Sequence, residues 1–356
     1  MKRAKYYTAA AAAALALAGT AVLGAGPANA GGFPTFTGPL DNATTLASTV
    51  PANGDVNPYG VAVVPRDAGN LDAGNVLVSN FNDQGNTQGT GTTIVQVTPG
   101  GKVSQFAQID PNLPGCPGGV GLTTALSVLR SGWVIVGSLP TQGGNVSGPG
   151  CLIVLDSHGT VRETFRGHGI NGPWDMTALD LGHAAVLFVT NVLDGTVERL
   201  VVGIPEDHLP FLASTRTIGS GFPHRTDPNA LVIGPTGVGL GQGGTLYVAD
   251  TLSSRIAAIP GAVFRFSDDG TGRTVTEGNN LNGELGLAIA PGGDILTVNG
   301  GDGNLVETTP AGDQVAVKTI DTNNGGAGNL FGLAIKPHAD AVYYVDDFDN
   351  TLRLLH

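Results

Sequence analysis

Five short apolar runs in this chain end on a side-chain oxygen: NVLVSN at Asn80, VLFVTN at Asn191, TLYVAD at Asp250, DILTVN at Asn299 and AVYYVD at Asp346. Carboxylates and amide carbonyls are hard donors, so a ring of them suits Ca²⁺ or the hydroxyls of a polar ligand rather than zinc. Asp250 and Asp346 carry the charge and are the expected metal contacts, and calcium is the cofactor this donor set suggests. Glu284, in NGELGL, adds a carboxylate beside a strand, while Tyr59, Trp174 and Phe331, each just before a strand, offer apolar rings next to these oxygens. Each Asx residue taken singly also has a plainer role. At a strand-to-turn junction its side chain accepts turn N–H groups, and Asp250 is spaced to meet Arg255 across the turn.

Other chemistry is poorly provided for. Of seven histidines, only His168 and His224 fall in long loops, and they belong to different repeats, so a zinc site is not expected. No G-x-S-x-G, H-E-x-x-H or G-x-x-x-x-G-K-[ST] pattern occurs, and no serine is marked as a nucleophile. Cys116 and Cys151 are the two cysteines, and export would make a single disulfide between them the default.

The elements that must hold these residues repeat about every fifty positions. Six apolar anchors, YGVAVVP from Tyr59, ALSVLR from Ala125, DMTALD from Asp175, GVGLG from Gly237, GLAIAP from Gly286 and GLAIKP from Gly332, are each followed by a second apolar strand. The second strands are the five runs above plus WVIVGS at Trp133, the one that does not end in Asx. Third strands follow, read in the fourth repeat as AVFRFSDDG from Ala262 or the earlier RIAAI from Arg255, and a fourth strand is plausible in most repeats. Four strands per unit, six units and regular Gly/Pro punctuation give an all-β chain: a six-bladed β-propeller. The blades are expected near 57–107, 122–166, 174–217, 236–277, 285–320 and 331–356, the last completed by a strand at 44–50 that closes the ring.

Strand alternation puts the second-to-third and blade-to-blade connections on one face. Those connections are long and polar, as in NFNDQGNTQGTGT and GSGFPHRTDPNALVIGPT, so that face is the expected working face. Residues 1–30 read as a secretory signal peptide: Lys2, Arg3 and Lys5, an apolar run, then Ala28-Asn29-Ala30. Removing them takes three of 17 basic residues and none of 29 acidic ones, leaving 14 against 29, or −15. Nucleic acid and anionic membrane surfaces are therefore excluded as partners. No later run is long and apolar enough to span a bilayer, so a secreted, extracellular or periplasmic monomer is expected.

TLYVADTLSSRIAAI resembles an NHL repeat, and VLFVTNVLDGTVERL and AVYYVDDFDNTLRLL are similar to it. The resemblance implies a propeller scaffold shared by binding modules, gluconolactonase-type lactonases and lyases. In the gluconolactonase family the metal ligands are a Glu, two Asn and an Asp; Asp250 matches the strand-end Asp, whereas the family's Glu-Pro and Pro-Asn-Gly patterns are absent. The function expected is a secreted propeller that binds a small molecule, carbohydrate or protein on its long-loop face. The alternative is a metal-assisted, calcium-type lactonase, hydrolase or lyase at the channel mouth.

Overall fold

The computed structural model describes residues 35–227, 230–338 and 340–356; the signal peptide read at 1–30 lies outside the described residues. Six four-stranded antiparallel sheets follow one another along the chain. Their first strands, Val56–Val63, Leu122–Val128, Pro173–Asp180, Pro235–Leu240, Glu284–Ile289 and Leu330–Ile335, touch in that order, and the last returns to the first. The chain is therefore a six-bladed propeller. Blade six takes its outer strand from the other end of the sequence: Ala43–Ser48 pairs antiparallel with Thr351–Leu355, two residues short of the expected 44–50 at its C-terminal end.

Second and third strands such as Leu246–Asp250 and Arg255–Ile259 are buried along their whole length because each is covered on both faces by neighbouring blades. That double cover is why they read as continuous apolar runs rather than alternating ones. Outer strands see solvent on one side, and Gln314–Thr319 accordingly alternates between half-buried and exposed positions. The third strand of blade four is Arg255–Ile259, and Ala262–Phe264, the other reading, forms a 3₁₀ turn. Gly261 in the left-handed region ends the strand there, a break the apolar count in AVFRF does not reveal.

The seams between blades are set by backbone contact. A Cβ on Gly237, Gly286 or Gly332 would lie closer than 3.0 Å to the carbonyl oxygen of Leu285, Phe331 or Tyr59 on the next blade. Glycine recurs in these anchors because adjacent first strands meet there without side chains between them.

Cys116 and Cys151 are joined in a disulfide and packed in the core shared by blades one and two. The bridge closes a loop of separation 35, which is worth roughly 3–4 kcal/mol in the chain-entropy account. Urea unfolding of the Cys116→Ser/Cys151→Ser protein should show a loss of that order, and unchanged stability would refute it.

Candidate functional site

Each first strand is interrupted at the same level. The pairing slips between Pro58 and Val61, Leu122 and Leu126, Pro173 and Met176, Pro235 and Val238, Glu284 and Leu287, and Leu330 and Leu333. Such bulges re-aim side chains, and here they turn Tyr59, Trp174, Thr236, Leu285 and Phe331 toward a cleft of about 340 Å³ at the mouth of the central channel. Three of the five are aromatic and form its floor. Tyr59 stacks on Phe331 at 4.2 Å and on Phe81 at 4.6 Å, and Trp174 from blade three meets Tyr59 of blade one edge-on at 5.6 Å. The plug separates the cleft from a second cavity of about 370 Å³ farther down the channel, into which Asp175 projects.

The wall over the plug is mixed. A hairpin, Arg225–Asp227 with Leu231–Ile233, inserted between blades three and four, contributes Val232 and Ile233 to the lining; Leu231 and Val232 pack with the aromatic group. Opposite polar groups come from Asn57, Asn282, Thr236 and Thr251, whose hydroxyls lie 2.7 Å apart, and from Asp347. Burial, reinforced by the charge of Asp346, pushes the Asp347 carboxyl up to about 7. Burial also drives the Tyr59 phenol above its usual value, the Asp347 charge adds to this, and a hydrogen bond with Asn57 opposes it. At neutral pH the cleft thus pairs a protonated phenol, a donor, with a carboxyl able to hold or release a proton.

The residues expected from sequence divide into two groups. Tyr59, Trp174 and Phe331 are brought together as the floor. Asn80, Asn191, Asp250, Asn299 and Asp346 lie at the same end of their strands, yet none lines the cleft. Each is turned into the corner of its own blade. The Asn80 amide donates to the Thr49 carbonyl, Asn191 to the Gly169 carbonyl and the Thr196 hydroxyl, and Asn299 to the Asn280 carbonyl and Asp302. Asp250 is held by Arg255 at 2.9 Å and Asp346 by Arg353 at 3.3 Å. Glu284 is fully buried between blades four and five, and burial pushes it up to about 8, opposed by backbone N–H groups of its own residue and of Arg255.

Calcium needs six to eight oxygens around one point. The cleft lining supplies a single carboxylate, Asp347, the two strand-end carboxylates are committed to guanidinium groups, and no group of three or more His, Cys, Asp or Glu gathers around one point among the described residues. Asp250 and Asp346, the expected metal contacts, are thus not gathered with Asp347 into one acidic cluster among the described residues. Sequence reasoning missed Asp347, Asn57 and Thr236. The signal available was position: Thr236 precedes an anchor glycine as Tyr59 and Phe331 do, and Asp347 follows the strand-end Asp346 in VDDFDN.

Five acids, Glu284, Asp175, Asp347, Asp346 and Glu198, are raised by burial to about 8, 7, 7, 6 and 6. Each holds its proton in the folded chain to a higher pH than in the unfolded chain. The folded state binds more protons over that window, so stability falls as pH rises from about 4 to about 8. Calorimetry should find a lower melting temperature at pH 8.5 than at pH 5 and a flatter profile for Glu284→Gln. A melting temperature independent of pH would contradict this burial.

No family model matches the chain, and no curated protein matches its sequence. Solved structures do. A gluconolactonase from Xanthomonas campestris aligns at TM-score 0.56 and 13% identity, covering 88% of each chain. The PQQ-bound aldose sugar dehydrogenase of Streptomyces coelicolor aligns at 0.54 and 14%, covering 89% of this chain and 99% of that one. A catalytically inactive virginiamycin B lyase from Staphylococcus aureus, with quinupristin, aligns at 0.52 and 14%, covering 88% and 85%. At these identities the likeness establishes architecture alone: the chain shares the β-propeller fold of these structures, and its own six sheets make it six-bladed.

Proposed function

We propose that the protein is an exported binding propeller that takes a small cyclic ligand on its long-loop face. The observation that carries the reading is the cleft itself, an aromatic floor of Tyr59, Trp174 and Phe331 beneath one carboxyl, Asp347, raised to about 7. A ring lies against the floor, and a hydroxyl or amine of the same molecule reaches Asp347. The three structural neighbours, which carry small-molecule chemistry on this fold, support a small ligand over a macromolecule. The leader-like start of the sequence and the disulfide both favour export in this reading.

A second reading rests on the same carboxyl. With its pKa near 7, Asp347 is suited to take a proton from water as that water's oxygen attacks a lactone or ester carbonyl. The neutral Tyr59 phenol would hydrogen-bond the oxygen on which charge develops. Thermal-shift titrations with D-glucose, glucono-δ-lactone and phenyl β-D-glucoside separate the two readings when run beside a pH-stat assay of lactone hydrolysis. A rise in melting temperature without acid release supports binding alone, and acid release lost in Asp347→Asn supports catalysis. No rise with any probe, and no acid release, counts against both.

A further inference from the structure

A second concave site lies on the flank of blade three, away from the channel. We propose that it binds a saccharide. The groove has a volume of about 400 Å³ and is lined by His168, Glu198, Thr215, Arg216, Thr217, Phe266 and Asp268, with Gly169 at its edge. Phe266 is the one phenyl ring in that lining and is 76% exposed. The ring is held in place. The Arg199 guanidinium, itself only 7% exposed and anchored on the Val263 carbonyl at 2.9 Å, sits 5.6 Å from the ring centroid.

Glu198 supplies the second observation. It is 2% exposed, and the Thr217 hydroxyl donates to its Oε1, which leaves Oε2 for the groove. Gly169 packs directly against that carboxylate, where a Cβ would collide with its carbon and both oxygens. Asp268 is fixed on the other side by the Ser220 hydroxyl and the Gly270 N–H. One oriented ring face, two fixed carboxylates, a guanidinium and two threonine hydroxyls match a pyranose, which shows an apolar C–H face and an edge of vicinal hydroxyls. A protein partner would call for a broader apolar core than a single phenylalanine.

Affinity electrophoresis through gels containing laminarin, hydroxyethyl cellulose or glycol chitin tests the assignment. The protein should be retarded by at least one of them. Phe266→Ala should weaken that interaction about tenfold or more, and Glu198→Gln should weaken it with the fold intact. Because the Phe266 ring is exposed, Phe266→Ala should melt with the parent. Leu181→Ala, an exposed apolar side chain that lines neither this groove nor the cleft, should be retarded like the parent. Free migration in all three gels overturns the proposal, as does retardation of Phe266→Ala equal to that of the parent.

Discussion

Removal of residues 31–50 is expected to leave a chain that does not close. Ala43–Ser48 supplies the outer strand of blade six, with Ala43 opposite Leu355 and Ser48 opposite Thr351, and the ladder is extended by bonds of 2.9–3.0 Å between Asn42 and His356 and from Thr49 to Asn350. Deletion bares the edge of Thr351–Leu355 and the buried Leu352 and Leu355. It also strips Glu307, a fully buried carboxylate, of the Phe36 and Thr37 N–H groups that hold it at 2.7 and 2.8 Å. An unpaired edge invites association, and an orphaned buried carboxylate costs several kcal/mol. The truncated protein should aggregate or melt more than about 10 °C below the parent. A truncation that melts with the parent would contradict closure by this strand.

Gly286→Ala should be strongly destabilising. Its Cβ would fall within 3.0 Å of the Phe331 carbonyl oxygen and of the Leu333 side chain, at the seam between blades five and six. The Leu333 contact is a side-chain methyl that can turn aside, but the Phe331 oxygen is backbone, and Phe331 is held further by the aromatic floor. Forcing the seam apart should cost about 3 kcal/mol and loosen the plug. Gly292→Ala is the control: its Cβ meets nothing within 4 Å, and its backbone is not left-handed. Guanidinium unfolding should therefore show a large loss for the first variant and none, or a small gain, for the second. Equal effects would refute the close-contact account of the anchor glycines.

The fold was legible because a propeller repeats its local rules. The anchors GLAIAP and GLAIKP look alike since Gly286 and Gly332 face the same steric demand, and the second strands are apolar throughout since both their faces are covered. The site was only half legible. Tyr59, Trp174 and Phe331 stand at equivalent places before their strands, and the bulge at that level carries all three to the channel. Asn80, Asp250 and Asp346 are equally periodic, but strand-end position does not say which way a side chain turns, and Thr93, Arg255 and Arg353 draw them into the blade. Asp347 owes its raised pKa to burial and to Asp346, an environment that assembles only when the turn of blade six is folded over the channel mouth. The hairpin roofing the cleft was hidden inside a loop-like stretch, as its strands are three residues each.

The cleft is tested most directly by its own tryptophan. The chain has two, Trp133 and Trp174, so Trp133→Phe leaves the floor residue as the sole reporter. D-glucose, glucono-δ-lactone and phenyl β-D-glucoside would each be titrated while Trp174 emission is recorded at pH 5.5 and 8.5. We predict a saturable change with at least one of them, a pH dependence that follows the Asp347 carboxyl through about 7, and loss of that dependence in Asp347→Asn. A probe that raises the melting temperature yet leaves Trp174 emission flat at both pH values would show that ligands bind elsewhere and would contradict the cleft as the working site.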